Sequence, residues 1–393
     1  MATQGILRPG TGKRNAIHQT RNLADRPGSA RRGKADPPSG ASAGVSGQMD
    51  RHPLRRPRTG MTFGVLLPHF GPHASRTRLI EGIKLIEDLG FDAVWARDHL
   101  LWHPHSHEEH TDMTFLEPFT TLIGLGTLVE RLVIGTGVMI PVRHPIRVAQ
   151  QYMTLSYLTG GRVIAGFGAG HGGELRAAGI DPDRKHQAVL EMIEIVRRLW
   201  AGNGVTFEGE IFRIHHASLE PKLQHPLPIL YGGPSRRAAR IAACHADGWL
   251  AGTVPLTTVD ARLSYMRELL GSIDHLFLSV TPRTILDEDR ERARTSVDVE
   301  RMSRDGKRNW VTPPGGAFRT LEDIRGVVVV GDAHDVAAGV IEYYKRGFDH
   351  FTFDVRNQFD RFEETLEAIS GSVLPIVRKE IARSNLPQSN RRS

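Results

Sequence analysis

The sequence predicts a single closed (β/α)8 barrel, the TIM-barrel architecture, over residues 61–380, and three observations predict it. Short apolar, β-branched runs alternate with amphipathic segments about eight times, which matches one barrel in unit number and length. Two of these runs, Leu132 to Ile140 and Arg162 to Gly168, bracket a segment of helical spacing that begins after His144-Pro145. Apolar runs of this kind read as strands buried on both faces, and two joined by a helix are parallel because parallel strands need a long crossover. Glycines, histidines and acids also recur after many strands, and no GxGxxG follows the first one. That pattern disfavours the alternative, an open doubly wound sheet with one switch point.

The elements follow in order. Thr62 to Leu67 reads as the first strand, and Thr77 to Leu89 as a helix, because Leu79, Ile80, Ile83, Ile86 and Leu89 share a stripe that Gly90 closes. Phe91 to Ala96 is the second strand, followed at once by Arg97-Asp98-His99. A helix from Pro118 to Val129 leads into the central βαβ unit. Beyond it, Gly166 to Gly173 reads GFGAGHGG, which contains G-x-G-x-G but opens no immediate helix and precedes no P-loop lysine. A long amphipathic helix spans Arg184 to Trp200, and Val205 to Ile214 alternates as a hairpin about Glu208-Gly209. Leu227 to Tyr231 is a strand running into Gly232-Gly233-Pro234-Ser235 and a helix to Ala246; Gly248 to Ala251 and Leu276 to Val280 are further strands. Asp287 to Asp305 is charged enough to be an exposed helix or a surface insertion. Val327 to Val330, a helix from Asp335 to Arg346, a strand from His350 to Asp354 and a last helix from Asp360 to Lys379 restore the rhythm, and residues 381–393 are expected to fray.

Charge is unevenly spread. The chain of 393 residues carries a formal net charge of +7, but residues 1–60 hold twelve Lys/Arg against three Asp, leaving 39 basic and 41 acidic residues for the rest. The folded part is therefore near neutral, and nucleic acid is not an expected partner for it. The first 60 residues are rich in Gly, Pro, Ser and Arg and are expected to be a disordered tail. Their Arg clusters suggest transient contact with an acidic surface or, alternatively, a dispensable extension with Met61 as a natural first residue. One cysteine, Cys244, excludes an internal disulfide and a cysteine zinc cage, and no apolar run reaches the roughly 18 residues that span a bilayer. A soluble, cytoplasmic protein is expected.

Ligands of parallel α/β folds bind at the carboxyl ends of the strands, so the residues there are the candidates for chemistry. His99 follows strand two beside Asp98, an acid able to fix its tautomer, and a histidine so placed suits general acid–base work near neutral pH. Trp102 supplies a flat apolar wall. The opposite reading is that His99 only caps a loop. His103 to His110, HPHSHEEH, invites a metal, but no helix aligns its ligands, so a solvated lid is expected and no metal. Gly135, Gly137 and Pro141 after strand three, and Gly166, Gly168 and Gly170 after strand four, let a backbone approach a ligand closely or simply pack a barrel core. Gly232-Gly233 runs into a helix that starts near Ser235, with Arg236 and Arg237 close by, so an anionic cofactor tail can rest on that helix end, or the stretch is a plain turn.

Taken together, Asp98-His99, TGVMIPVRHP, GRVIAGFGAG, the hairpin VTFEGEIFRI, PILYGG and Ala246-Asp247-Gly248-Trp249 resemble the bacterial luciferase-like monooxygenase superfamily. Within it the chain looks most similar to the coenzyme F420 (deazaflavin)-dependent oxidoreductases, over residues 61 to about 375. The resemblance implies a hydride transfer between F420 and a small organic substrate, with His99 moving the accompanying proton. It implies a non-prolyl cis peptide at Gly137-Val138 behind the cofactor ring, with Met139 part of that bulge. Asp98 and His99 would lie beside the ring, Trp102 would shape the substrate side, Gly168 and Gly170 would border the ring, and Gly232 and Gly233 would receive the phosphate. Sugar-phosphate dehydrogenases of the family carry a glutamate after the strand-four glycines where His171 stands here, which argues against glucose 6-phosphate and makes His171 a second candidate for the proton. An FMN-dependent monooxygenase supplied with reduced flavin by a partner reductase is the alternative, and a non-catalytic flavin-binding barrel the third. Relatives of this kind are often homodimers.

Overall fold

The computed structural model describes residues 52, 54, 60–101, 111–304 and 306–385. The expected tail, Trp102 and the histidine run therefore fall largely or wholly outside the described residues. Twelve strands follow in chain order: β1 (Thr62–Leu66), β2 (Ala93–Ala96), β3 (Val133–Thr136), β4 (Val163–Gly168), β5 (Val205–Glu208), β6 (Arg213–Ala217), β7 (Ile229–Gly232), β8 (Gly248–Leu250), β9 (Phe277–Val280), β10 (Arg283–Leu286), β11 (Val328–Gly331) and β12 (His350–Phe353). Eight of them close a parallel barrel in the order β1-β12-β9-β8-β7-β4-β3-β2. The expected barrel is what forms, and β5 and β6 make the expected hairpin outside it.

Register decides what fills the interior. Gly64, Trp95, Gly135, Ile164, Gly166, Leu230, Gly248, Phe277 and His350 share the inward phase of the ladder. Large side chains sit opposite missing ones: a Cβ on Gly135 would lie 2.4 Å from the Trp95 ring, and one on Gly64 would lie 2.7 Å from His350 Nε2. The glycines of strands one and three thus make room for two rings that plug the barrel, so the core is packed rather than a pore. Trp95 Nε1–H donates to His350 Nε2 (3.0 Å), and His350 Nδ1 lies 2.8 Å from Thr62 Oγ1, which in turn donates to the Asp349 carbonyl (3.1 Å).

Three expectations about elements need correction. Val328–Gly331 is not a barrel stave; it pairs in parallel with Arg283–Leu286, a strand that its polar flanks concealed, in a separate two-stranded sheet. The charged stretch after it is not one helix but holds two short, largely exposed ones, Arg290–Thr295 and Val299–Arg304. The last helix is broken into Phe362–Ala368, a π turn at Ile369–Val373 and Leu374–Ser384, because Pro375 lacks the N–H that a continuous helix needs. Leu54 is 1% exposed and belongs to the core, with its carbonyl accepting from Thr62 Oγ1 (3.4 Å), and His52 is buried beside it, so packed chain begins before Met61.

Candidate active site

The carboxyl ends of β2, β3, β4 and β7 surround a cleft of about 530 Å³, a volume typical of small-molecule sites. Asp98, His99, Gly137, Val138, Gly168, Gly170, His171, Gly232 and Gly233 all line it. Residues from four separate strand ends are thereby brought to one mouth. Met139 does not share in the lining: its side chain is fully buried and its sulfur lies 3.2 Å from the Arg143 guanidinium. Its backbone instead stitches β3 to β4, through Met139 N–H to the Gly166 carbonyl (2.7 Å) and Gly168 N–H to the Met139 carbonyl (2.9 Å).

The bulge after β3 forms because its neighbours have no side chains. The Gly137-Val138 peptide is cis, at the position the resemblance implies. Val138 leans over the facing glycines so closely that a Cβ on Gly168 would sit 2.4 Å from Val138 Cγ2, and one on Gly232 2.5 Å from Val138 Cγ1. A Cβ on Gly166 would strike the Thr136 carbonyl oxygen itself, at 1.9 Å. Gly170 adopts φ +67°, a left-handed conformation that favours glycine. The result is a shallow backbone-lined cradle with Val138 at its base.

Asp98 is buried, but it does not hold His99. Both its oxygens take the Arg143 guanidinium (2.7 and 2.9 Å), and Oδ2 also accepts from the Ile140 N–H (2.9 Å). Burial pushes the Asp98 carboxyl up from its ordinary value, against the opposing pull of Arg143. Burial works against the Arg143 charge, but Asp98 and Glu117 together raise Arg143 above its ordinary value, and the bidentate bridge pins the loop after β3. Neighbours in sequence are thus not partners in space.

The carboxylate on His99 is Glu174, which the sequence reading missed. Both its oxygens lie 3.2 Å from His99 Nδ1, and Oε1 also accepts from the N–H groups of Leu100 (2.7 Å) and Leu101 (3.3 Å). Glu174 sits on a short helix, Gly172–Ala177, that starts directly after the strand-four glycines, with His171 as its N-cap. The expectation that no helix opens there is therefore corrected. The signal was present as an acid in a helix's first turn with Leu175 buried after it, but six residues are too few to show a periodicity. On the other side of the ring, the Arg97 guanidinium lies 3.2 Å from His99 Nε2. Burial lowers His99 from its ordinary value; Glu174 opposes this and the Arg97 charge adds to it. Burial works to raise Glu174, but the His99 bond and the two backbone N–H groups hold it below the usual carboxylate range.

His171 is exposed, and its imidazole does no more than cap its helix by accepting from the Gly173 N–H at 3.4 Å. At the opposite end of the cleft, Gly233 takes φ +139° and Ser235 caps the helix Arg236–His245, with the Ala238 N–H donating to its Oγ (3.0 Å). Arg236 is drawn away over the Tyr265 ring (4.1 Å), whereas Arg237 and Lys185 act on His186. Burial, with those two charges, pushes His186 down to about 4. His186 Nδ1 is 3.2 Å from the Tyr231 hydroxyl. No helix among the described residues is long and apolar enough to cross a membrane.

Known proteins resemble this chain in sequence and in fold. The F420-dependent hydroxymycolic acid dehydrogenase of Mycobacterium tuberculosis is 34% identical over 194 residues, 48% of this chain and 52% of that protein. The F420-dependent glucose-6-phosphate dehydrogenase of Nakamurella multipartita is 31% identical over 235 residues, 57% of this chain and 67% of its own. The chain thus spans about half to two thirds of the length of these curated relatives. Among solved structures, an F420-dependent secondary alcohol dehydrogenase in complex with an F420–acetone adduct superposes with a TM-score of 0.65 at 19% identity, covering 81% of this chain and 99% of that one, which bears on the fold alone. The family profile described as luciferase-like monooxygenase matches residues 61–350, and the chain belongs to that family.

Proposed function

We propose that this protein is an oxidoreductase that passes a hydride between coenzyme F420 and a small organic substrate, with His99 handling the accompanying proton. The observation that carries the reading is the meeting, in one cleft, of a glycine-rimmed cradle with a half-buried histidine held by a carboxylate. The names of the relatives support an oxidoreductase and favour F420 within it.

The residues present fit the cofactor. A flat ring needs a low, smooth wall, and Gly168 and Gly170, with the short apolar Val138 side chain seated against the glycines, provide one. An anionic tail needs positive charge and spare N–H groups: the helix starting at Arg236 and the longer one starting at Lys185 both point their positive ends at the cleft, and neither carries an acid in its first turn. Lys185 and Arg237 add full charges there. When bound, the deazaflavin would supply the carbon that gives or takes hydride. The chain's own part is to hold the ring against Val138, to keep water from the reacting face and to exchange a proton at the His99 imidazole. His171 is the weaker proton candidate, since no second group orients it.

The family's name favours a second reading, an FMN-dependent monooxygenase. Titrating the purified chain with F420 and, separately, with FMN, following cofactor fluorescence, separates the two. Saturable F420 binding at micromolar or lower concentration is expected; tight FMN binding with no response to F420 would overturn the proposal.

A further inference from the structure

Among the described residues, two neighbours of His99 have a chemistry that orients its hydrogen. An ionised carboxylate can only accept and a guanidinium can only donate. Glu174 faces Nδ1 through both oxygens at 3.2 Å, and Arg97 faces Nε2 at 3.2 Å. We propose that Glu174 and Arg97 are positioning residues for His99, fixing the tautomer with hydrogen on Nδ1 and the lone pair on Nε2, so that Nε2 is the atom that exchanges a proton with the substrate.

The described neighbours support this arrangement. Asp98, adjacent in sequence, is committed to Arg143 and the Ile140 N–H and does not compete for the ring. Phe115 packs edge-on against the imidazole at 5.2 Å between centroids, an interplanar angle of 87°. Glu174 also ties down the N–H groups of Leu100 and Leu101, so the carboxylate and the backbone that carries His99 form one unit. Among the described residues, Glu174, Arg97 and Asp98 act on His99 by charge. Arg97 borders the cleft along with His99, which places the guanidinium where it can turn from Nε2 to a substrate oxygen.

The inference rests on the hydride-transfer reading and makes its proton step explicit. When an alcohol is oxidised, its O–H proton would pass to Nε2, leaving a carbonyl and an imidazolium paired with Glu174, while F420, when bound, would accept the C–H hydride with its two electrons. Reduction runs the same step backwards.

Nitrogen-15 NMR of histidine side chains in the full chain without cofactor tests the tautomer directly. The wild-type spectrum should show His99 neutral at pH 7 with hydrogen on Nδ1. Arg97→Gln, which removes a positive neighbour, should move the His99 titration up, and Glu174→Gln should move it down and admit the Nε2–H form, each by roughly one pH unit; Glu174→Asp should restore much of the original behaviour. In the active enzyme the acid limb of kcat/KM should move in the same two directions. Hydrogen found on Nε2 in the wild type, or a titration that neither variant moves, would overturn the inference. Because the spectra need no cofactor, a chain that binds only FMN would defeat the proposed function while leaving this result intact.

Discussion

Two histidines, one fully buried at the floor of the barrel and one half-buried at its mouth, share a tautomer and differ in company. At the floor, His350 accepts from Trp95 and gives its Nδ1 hydrogen to Thr62, and all these partners are uncharged. At the mouth, His99 accepts from Arg97 and faces Glu174. The floor arrangement has no carboxylate to welcome a proton, and burial pushes His350 down to about 3. The mouth arrangement has one, so an imidazolium formed there gains a partner. A histidine becomes useful when a counter-charge is fixed beside it; the same ring among neutral groups is a packing element.

The largest effect that would break or sharpen this contrast is an exchange of phenotypes. His99→Ala should lower turnover by about 10²–10⁴-fold, the usual worth of a positioned acid–base group, while thermal unfolding stays nearly unchanged. His350→Ala should do the reverse, costing about 2–5 kcal/mol of stability through a cavity and stranded polar groups, with the folded fraction still active. Denaturant melts and turnover on the same two variants decide it. Loss of activity in both, or of stability in both, would mean that the two ends are not specialised as described.

Acid should act on three buried histidines, two at the floor and one, His69, beyond the carboxyl end of β1. His350, His52 and His69 are buried, and burial holds them at about 3, 4 and 4, well below the 6.5 of an exposed histidine. Between pH 6.5 and about 4 the unfolded chain therefore binds protons that the folded one refuses, so stability falls as pH falls through that window. At pH 5 the cost is about 2 kcal/mol per histidine. A Tm measured from pH 7 to 5 should drop steadily, and His350→Gln, which cannot titrate, should flatten the curve. A Tm independent of pH over that range would contradict the neutral floor.

Smaller still is the effect at the cradle. Gly168→Ala puts a Cβ 2.4 Å from Val138 Cγ2, so the bulge must shift. Overpacking of this kind costs about 1–3 kcal/mol, which should appear as cofactor affinity weakened roughly 10- to 100-fold. Gly124→Ala serves as the control, because a Cβ there meets nothing within 4 Å. Equal affinities in a fluorescence titration would show that the bulge is not part of the binding wall.

The barrel itself was legible because period-2 burial and crossover helices leave a strong trace: Thr62–Leu66, Pro145–Leu158 and His350–Phe353 lie within a residue or two of where the apolar spacing puts them. The glycine rims were legible for a similar reason, as a missing Cβ at a strand end restricts what can face it. Pairings were not. Asp98 stands next to His99 in sequence, yet its partner Arg143 is 45 residues away, and the carboxylate that reaches His99 is 75 residues on. Charge partners across loops depend on where strand ends meet, which the barrel's closure sets and no local pattern records. Likewise Arg283–Leu286 went unassigned because its pairing with Val328–Gly331 spans an insertion.

The smallest expected effect separates two histidines at the same mouth. His171 and His99 both line the cleft, but His171 is exposed and its one bond among the described residues is a long cap to the Gly173 N–H. Replacing that cap by Ala costs on the order of 1 kcal/mol at most, because a six-residue helix offers little to lose and water can satisfy its N–H groups. Without a carboxylate to fix its tautomer, His171 has no preferred atom to present, so His171→Ala should change kcat by less than about threefold, against the orders of magnitude expected at His99. The pairing with Glu174 is what distinguishes them, and a large loss in kcat for His171→Ala with little for His99→Ala would move the proton transfer to the exposed ring.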